Sequence, residues 1–245
     1  MERRQGQFHT QTRPSIRLGA AFLFTATMMS TSSSAHAQDQ GPIPFKQGSY
    51  FILEGGANFH APTTTYPNYA GRDQRAYLKT GFAISGAGGY KWSNGLRAEG
   101  EVSFHQNALK YFDTPAIPYT GRQISTTFMV NAIYDFSTGS RFTPYVGVGV
   151  GGTVTWLKDV TYVITGVHAF ESADSTKFAY QGIAGVAIVL APQWEALIDV
   201  HYRRSDGHSF TTPTVTGGFN ILTNYNIHEA TVMAGLRYAF PSAHF

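Results

Sequence analysis

The sequence contains no cysteine, and this absence removes a whole group of possible functions. Disulfide bonds, thiolate metal sites, cysteine nucleophiles and lipid anchors on cysteine are all excluded. Charged residues are also scarce, at 13% of the chain. No segment shows helical periodicity, and no internal apolar run reaches the roughly 20 residues that a membrane-spanning helix needs. What the sequence does contain is 26 glycines and 14% aromatic residues in 245 positions, the size of a single domain.

The excess of positive charge is confined to the first 37 residues. The chain has 18 basic and 15 acidic residues, but four of the basic and one of the acidic residues precede position 38, so the remainder balances at 14 of each. A basic stretch, an apolar stretch over residues 18–29 and the tripeptide Ala35-His36-Ala37 together have the form of a cleaved export signal. We therefore predict a signal peptide at 1–37. Because the mature chain is not basic, we expect no nucleic-acid partner.

Apolar and polar residues alternate along most of the remaining chain. Residues 38–48 form a polar lead-in that we assign to the periplasm. The pattern is clearest at 131–156, where two alternating runs flank a short turn at 137–141, as in a β-hairpin. Eight such strands can be counted, joined alternately by short turns and long connections. The sequence thus predicts an all-β fold, an eight-stranded antiparallel up-and-down transmembrane β-barrel over 49–245.

Alternation alone does not show whether the apolar face points inward or toward lipid, and a soluble barrel is the alternative. The short turns at 93–95, 137–141 and 191–193 share one end, as in transmembrane barrels. Aromatic residues also recur near both ends of the apolar face, as expected at bilayer interfaces. We predict an aromatic girdle of Trp92, Phe136, Trp194 and Phe240 at the short-turn end, and of Phe59, Phe82, Phe104, Trp156 and Tyr202 at the opposite end.

The opposite face of the same strands carries the charged residues, which a membrane barrel would enclose in its lumen. The predicted lumen network consists of Glu54, Lys91, Arg97, Glu99, Glu101, Asp135, Glu195, Asp199, Arg203, Glu229 and Arg237. Charges in a narrow lumen must be paired or hydrated, so we predict the pairs Arg97–Asp135 and Glu195–Arg237 on neighbouring strands. Seven acids against four bases would favour cations in any pore.

Candidate catalytic and metal-binding residues are few. Glu101, Ser103 and His105 share one face of a strand and suggest a hydrolase as an alternative, but the sequence shows no oxyanion site. The nine histidines have no ligand spacing. The glycine-rich run at 147–152 is not followed by the helix that a phosphate-binding loop requires. We therefore expect no enzymatic activity, no cofactor and no metal site.

Three segments carry a resemblance to a known family: YDFSTGSRFTPYVGVGVGG at 134–152, the two strands at 178–203, and HEATVMAGLRYAF at 228–240. Their pattern resembles the small outer-membrane β-barrel proteins of Gram-negative bacteria, the family of opacity proteins and porin-family surface antigens with barrels of the OmpA type. The resemblance implies this fold, a place in the outer membrane in contact with its lipid, and recognition by the barrel-insertion machinery. That machinery reads either Phe240 or Phe245, and both alternatives stay open.

Activity is not implied by the resemblance, so the functional prediction rests on the long connections. Those at 63–69 and 210–226 are rich in Thr, Tyr, Asn and Gly. Binding residues concentrate on loops held by a rigid frame. We predict a structural or surface-interaction role through long extracellular loops, with an extracellular surface or a polysaccharide as partner. The alternative is a narrow, weakly cation-preferring diffusion pore.

Overall fold

The computed structural model describes residues 47–67, 74–113, 116–162, 168–213 and 220–241. The predicted signal peptide, most of the lead-in and Phe245 lie outside these ranges. Within them, no helix is both long and apolar enough to cross a membrane. The described residues form ten β-strands. They are β1 (Gly48–His60), β2 (Thr63–Pro67), β3 (Gln74–Leu78), β4 (Gly81–Lys91), β5 (Leu96–Asp113), β6 (Ala116–Asp135), β7 (Phe142–Tyr162), β8 (His168–Ala191), β9 (Trp194–Pro213) and β10 (Asn220–Ala239).

Eight of these strands close into a barrel. Strand β1 pairs with β4, the strands from β4 to β10 pair in chain order, and β10 pairs back to β1 with Leu53 opposite Leu236, every pair being antiparallel. Closure matters because a sheet surrounded by hydrocarbon cannot leave the amides of an edge strand without partners. The predicted eight-stranded antiparallel barrel is therefore confirmed.

The two additional strands extend the barrel wall on one side. Strands β2 and β3 form a hairpin that lies between β10 and β5, beyond the ends of the shorter strands β1 and β4. Thr65 pairs with Tyr225 on one flank, and Ala76 pairs with Phe112 on the other. Between β10 and β5, the barrel wall is therefore continued by the β2–β3 hairpin beyond the ends of β1 and β4.

The prediction of long loops at 63–69 and 210–226 was wrong for most of those residues. Residues 63–67 are strand β2, residues 210–213 belong to β9 and residues 220–226 to β10. The longest strand, β8, has 24 residues, whereas a tilted strand needs only about 9–11 residues to cross a bilayer. Threonine and tyrosine are favourable in strands, and each strand here has a paired neighbour that continues the ladder. In the described ranges, the chain at the end of the barrel opposite the short turns is therefore mainly β-sheet.

The two faces of the wall have opposite polarity. Val148, Val130 and Phe178 point outward and are 67%, 66% and 64% exposed. Arg237 and Arg97 point inward and are 0% and 1% exposed. This arrangement inverts the polarity of a soluble protein and suits an apolar solvent. Of the nine predicted girdle residues, eight are exposed on the outer face and Trp156 is half-buried.

Candidate functional site

The interior of the barrel holds the charged residues singled out from the sequence. All eleven are buried, with at most 7% of each residue exposed. Together with neighbouring polar and aromatic side chains, these residues form three layers along the barrel axis. The lower layer, at the short-turn end, contains Tyr50, Lys91, Arg97, Glu99, Asp135, Glu195 and Arg237. The middle layer contains Glu54, Glu101, Asn131, Tyr145, Gln181, Asp199 and His201. The upper layer contains Asn58, His60, Ser103, His105, Arg203 and Glu229.

Arg97 is the centre of the lower layer. Its Nε donates to Oδ1 of Asp135 at 2.9 Å, and the other carboxylate oxygen of Asp135 lies 2.6 Å from Nζ of Lys91. Arg97 also contacts the carboxylate of Glu99, which accepts a hydrogen bond of 2.7 Å from the hydroxyl of Tyr50. The predicted pair of Arg97 and Asp135 is therefore present, within a larger network.

The second predicted pair completes this layer. Nε of Arg237 donates to Oε2 of Glu195 at 2.6 Å, and its guanidinium lies 5.4 Å from the ring centroid of Tyr50. The guanidinium of Arg97 lies 5.7 Å from the same centroid. Water would reach side chains that line an open channel, yet Tyr50, Arg97 and Arg237 are only 2%, 1% and 0% exposed. The side chains of the lower layer therefore fill the lumen near the short-turn end of the barrel.

The middle layer brings together side chains from several strands. The hydroxyl of Tyr145 donates to Oδ2 of Asp199 at 2.6 Å, and Nε2 of His201 lies 3.4 Å from Oδ1 of the same carboxylate. Glu54, Asp199 and His201 each offer one potential ligand atom, and these three atoms lie within 4.8 Å of one another. No metal site was expected from the sequence, because the histidines show no ligand spacing and Glu54, on β1, is far along the chain from Asp199 and His201 on β9. The structure thus assembles a candidate cluster that sequence reasoning missed.

Amide side chains hold the third carboxylate of this layer. Oε2 of Glu101 accepts hydrogen bonds of 2.8 Å from both Asn131 and Gln181, which also bond each other at 2.9 Å. Gly149 lies between them on β7, and a Cβ there would be 2.0 Å from Oδ1 of Asn131. The glycines of the 147–152 run therefore belong to a strand, and Gly149 leaves room for polar side chains.

The upper layer is organised by Arg203. Its Nε donates to Oε1 of Glu229 at 2.7 Å, while its two terminal nitrogens lie 3.2 Å from Oγ of Ser103 and 2.7 Å from Nε2 of His105. Ser103 and His105 thus both face the same guanidinium. Oε2 of Glu101, the third residue of the hydrolase alternative, is occupied by amide donors in the layer below. The arrangement does not form a nucleophile–base–acid relay.

A buried histidine lies beyond the predicted girdle at the end opposite the short turns, which we call the upper girdle. His208 is six positions past Tyr202 on β9, is fully buried, and has Nε2 2.9 Å from Oγ of Ser205. Burial, with a contribution from the nearby charge of Lys177, lowers the pKa of His208 from 6.5 to about 4. The imidazole is therefore neutral at pH 7 in the folded protein.

A closed β-barrel with an apolar outer wall, aromatic residues toward both ends and a buried ionic interior defines the class of outer-membrane β-barrel proteins. The comparison with protein families agrees. The family model described as "Outer membrane protein beta-barrel domain" matches residues 22–240, and the chain belongs to this family. The protein is thus a membrane protein of the Gram-negative outer membrane, with its outer wall in contact with lipid.

Two curated relatives are named as outer membrane proteins. One, from Gluconacetobacter diazotrophicus, is 28% identical over 93% of this chain and 65% of its own length. Outer membrane protein PagN of Salmonella typhimurium is 31% identical over 44% of this chain and 45% of its own length. The chain thus spans less than two thirds of either relative. The solved outer membrane protein OprG of Pseudomonas aeruginosa is 19% identical, with 80% of this chain and 98% of that chain covered and a TM-score of 0.54, and shows the shared fold.

Proposed function

We propose that the protein acts at the cell surface as an interaction protein that binds anionic saccharides through the extracellular part of its barrel wall. The observation that carries this proposal is a row formed by two basic residues on the neighbouring strands β6 and β7 and by Lys79, which lies beside β5 in the link between β3 and β4. The backbone amide of Lys79 donates to the carbonyl of Ala108 at 2.8 Å, Ala108 is paired with Arg122, and Arg122 is paired with Lys158. The row begins two residues beyond Trp156, a residue of the predicted girdle at the end opposite the short turns.

The wider charge balance of this region supports the same proposal. Among the described side chains that lie beyond the upper girdle and are at least partly exposed, six are basic and three are acidic. The basic ones are Lys79, Lys110, Arg122, Lys158, Lys177 and Arg204, and the acidic ones are Asp159, Asp174 and Asp206. The ion pairs Arg122–Asp159 and Arg204–Asp206, of 2.7 and 2.8 Å, lie at the surface and offset only part of the excess. Such a field attracts polyanions.

The test uses the full chain refolded into nanodiscs of zwitterionic lipid. We expect a sulfated dextran to bind and neutral dextran not to bind, with affinity falling as salt rises. The double substitution Arg122→Gln with Lys158→Gln should weaken binding several-fold. The matched control is Arg141→Gln, which removes an exposed arginine at the short-turn end. Equal binding by wild type and the double variant would overturn the proposal.

A second arm of the same test identifies the source of the saccharide. Anionic glycolipid is placed in the nanodisc itself, and competition with soluble sulfated dextran is measured. If soluble sulfated dextran fails to bind only when the nanodisc contains anionic glycolipid, the basic row binds saccharides of the protein's own membrane. Undiminished soluble binding assigns it to polysaccharide on another surface.

The alternative function is a narrow, cation-preferring diffusion pore, which the excess of interior carboxylates favours. Seven acids and four Lys or Arg residues are buried among the predicted lumen residues. Against the pore stands the lower layer, whose ionic and aromatic residues are each at most 7% exposed. Planar-bilayer recordings of the refolded protein decide between the two. The surface-interaction proposal predicts no steady conductance, and a stable cation-selective conductance would establish the pore instead.

A further inference from the structure

The middle layer contains carboxylate oxygens that have no hydrogen-bond partner. Oε1 of Glu54, Oε1 of Glu101 and Oδ1 of Asp199 are all buried, and none accepts a hydrogen bond of good geometry, although Oδ1 of Asp199 lies 3.4 Å from Nε2 of His201. They border a small cavity, with room for roughly one water molecule, that is also lined by His201 and Ser85. Buried polar atoms without a partner occur at several places in this barrel, but only here do three carboxylate oxygens of this kind, among the described residues, border one cavity.

The charges around this cavity are also out of balance. The middle layer contributes three carboxylates and the imidazole of His201, whose nitrogens lie 3.4 Å from Asp199 and 3.9 Å from Glu101. Arg97 borders the cavity from the lower layer, but it is already paired with Asp135 and Glu99. An uncompensated carboxylate is costly to bury. A cation or a proton must therefore accompany these groups.

We propose that the middle layer binds one divalent transition-metal ion of the zinc type, with Glu54, Asp199 and His201 as ligands. Two carboxylates and one imidazole form a mixed oxygen and nitrogen set, which suits zinc-type ions better than calcium or magnesium. Two ligands at about 2.1 Å from one ion lie at most about 4.2 Å apart, so the observed spread within 4.8 Å requires only small side-chain shifts. Tyr145 holds the second oxygen of Asp199 and orients that ligand.

Glycines make the approach of these ligands possible. Gly235 on β10 faces Glu54, and a Cβ there would lie 2.4 Å from Cγ of Glu54. Gly185 on β8 faces Asp199, and a Cβ there would lie 2.5 Å from Cβ of Asp199. Asp199 and His201 share one face of β9 because they are two residues apart. The cluster is thus built into the register of the barrel.

The alternative occupant is a proton shared between the carboxyl groups of Glu54 and Asp199, and the experiment separates the two. The full chain is treated with chelator in the unfolded state and refolded into detergent with or without Zn²⁺, so that the metal can reach the ligands before the barrel encloses them. Bound Zn²⁺ is then measured after excess metal is removed. Co²⁺ serves as a second probe, since its visible absorption reports ligation in a protein site. We expect one metal ion per chain.

The variants His201→Gln and Glu54→Gln should each reduce retained metal at least tenfold. The matched control His105→Gln removes another buried imidazole, outside the cluster, and should retain the metal in full. Folding of every variant is checked by circular dichroism, and the cobalt spectrum of a folded His201→Gln variant should lose its absorption bands. The proposal is overturned if the wild type retains no metal, if the two variants retain as much as the control, or if Ca²⁺ displaces Zn²⁺ at equal concentration.

Discussion

Tyr50 and Glu99 are joined by a hydrogen bond of 2.7 Å although they lie on strands β1 and β5, which are not neighbours. Strand β4 runs between them and presents Gly89 at the point of crossing, paired with Tyr50 on one side and with Glu99 on the other. The same arrangement places Gly185 between Tyr145 and Asp199. Each glycine removes a side chain from the middle strand, so that polar groups on the flanking strands can meet inside the barrel.

A methyl group at this crossing should destabilise the barrel. The Cβ of Gly89→Ala would lie 2.6 Å from the Tyr50 hydroxyl and 2.4 Å from the carbonyl oxygen of Ala98, which is backbone and cannot rotate away. We expect a loss of about 1–3 kcal/mol in the free energy of unfolding, measured by urea titration in lipid vesicles. Gly88→Ala is the control, because its Cβ would meet nothing closer than 4.0 Å. Equal stability of the two variants would contradict this account.

Removal of the central guanidinium should have a much larger effect than removal of a surface one. In Arg97→Ala, Asp135 and Glu99 lose their shared partner inside the lower layer, and we expect a cost of about 3–5 kcal/mol in urea unfolding. Arg122→Ala breaks an ion pair whose side chains are 49% and 61% exposed, and it should cost at most about 1 kcal/mol. Similar values for both variants would show that the lower layer is hydrated.

The same variant tests whether the lower layer blocks the lumen. If Arg97 and its partners exclude water, Arg97→Ala should produce measurable ion conductance in planar bilayers, where the wild type produces none. The Arg122→Ala variant should stay silent like the wild type. An equally silent Arg97→Ala protein, shown to be folded, would mean that other side chains close the lumen.

A positive charge on the outer wall should be poorly tolerated. Val148 is 67% exposed, and a soluble protein would accept lysine at such a position with little change. In hydrocarbon, Val148→Lys should cost about 2–4 kcal/mol in the free energy of folding into vesicles. Val148→Leu, which stays apolar, should be close to wild type. A neutral effect of lysine would place this position outside the hydrocarbon.

The buried imidazole beyond the upper girdle should make stability depend on pH. Because the pKa of His208 falls from 6.5 to about 4 on folding, the unfolded chain binds the proton first as pH decreases. This residue contributes no penalty above pH 6.5, and stability is lost as pH falls from 6.5 toward 4, by at most about 2–3 kcal/mol. Urea midpoints at pH 7 and pH 4.5 check this. The His208→Gln variant should show a smaller difference between the two pH values.

The sequence by itself was sufficient to predict the barrel, the number of its strands, and which face of each strand points outward and which inward. The pleat fixes a side-chain period of two, so the positions of Glu195, Asp199 and Arg203 on one face follow from their spacing alone. The pairs Arg97–Asp135 and Glu195–Arg237 could be predicted because each joins strands that are adjacent in the chain. The length of the strands beyond the girdle could not be predicted in this way. Pairing with a neighbouring strand, and not local composition, decides where a strand ends.

Only the tertiary structure decided which residues meet across the lumen. Glu54 lies on β1, while Asp199 and His201 lie on β9, with β10 between them. Their approach depends on the stagger of the closed sheet, a global property that no local pattern contains. The crossing of Tyr50 over Gly89 to Glu99 depends on it in the same way. Alternation therefore determines what is inside the barrel, whereas closure and register determine what each interior group contacts.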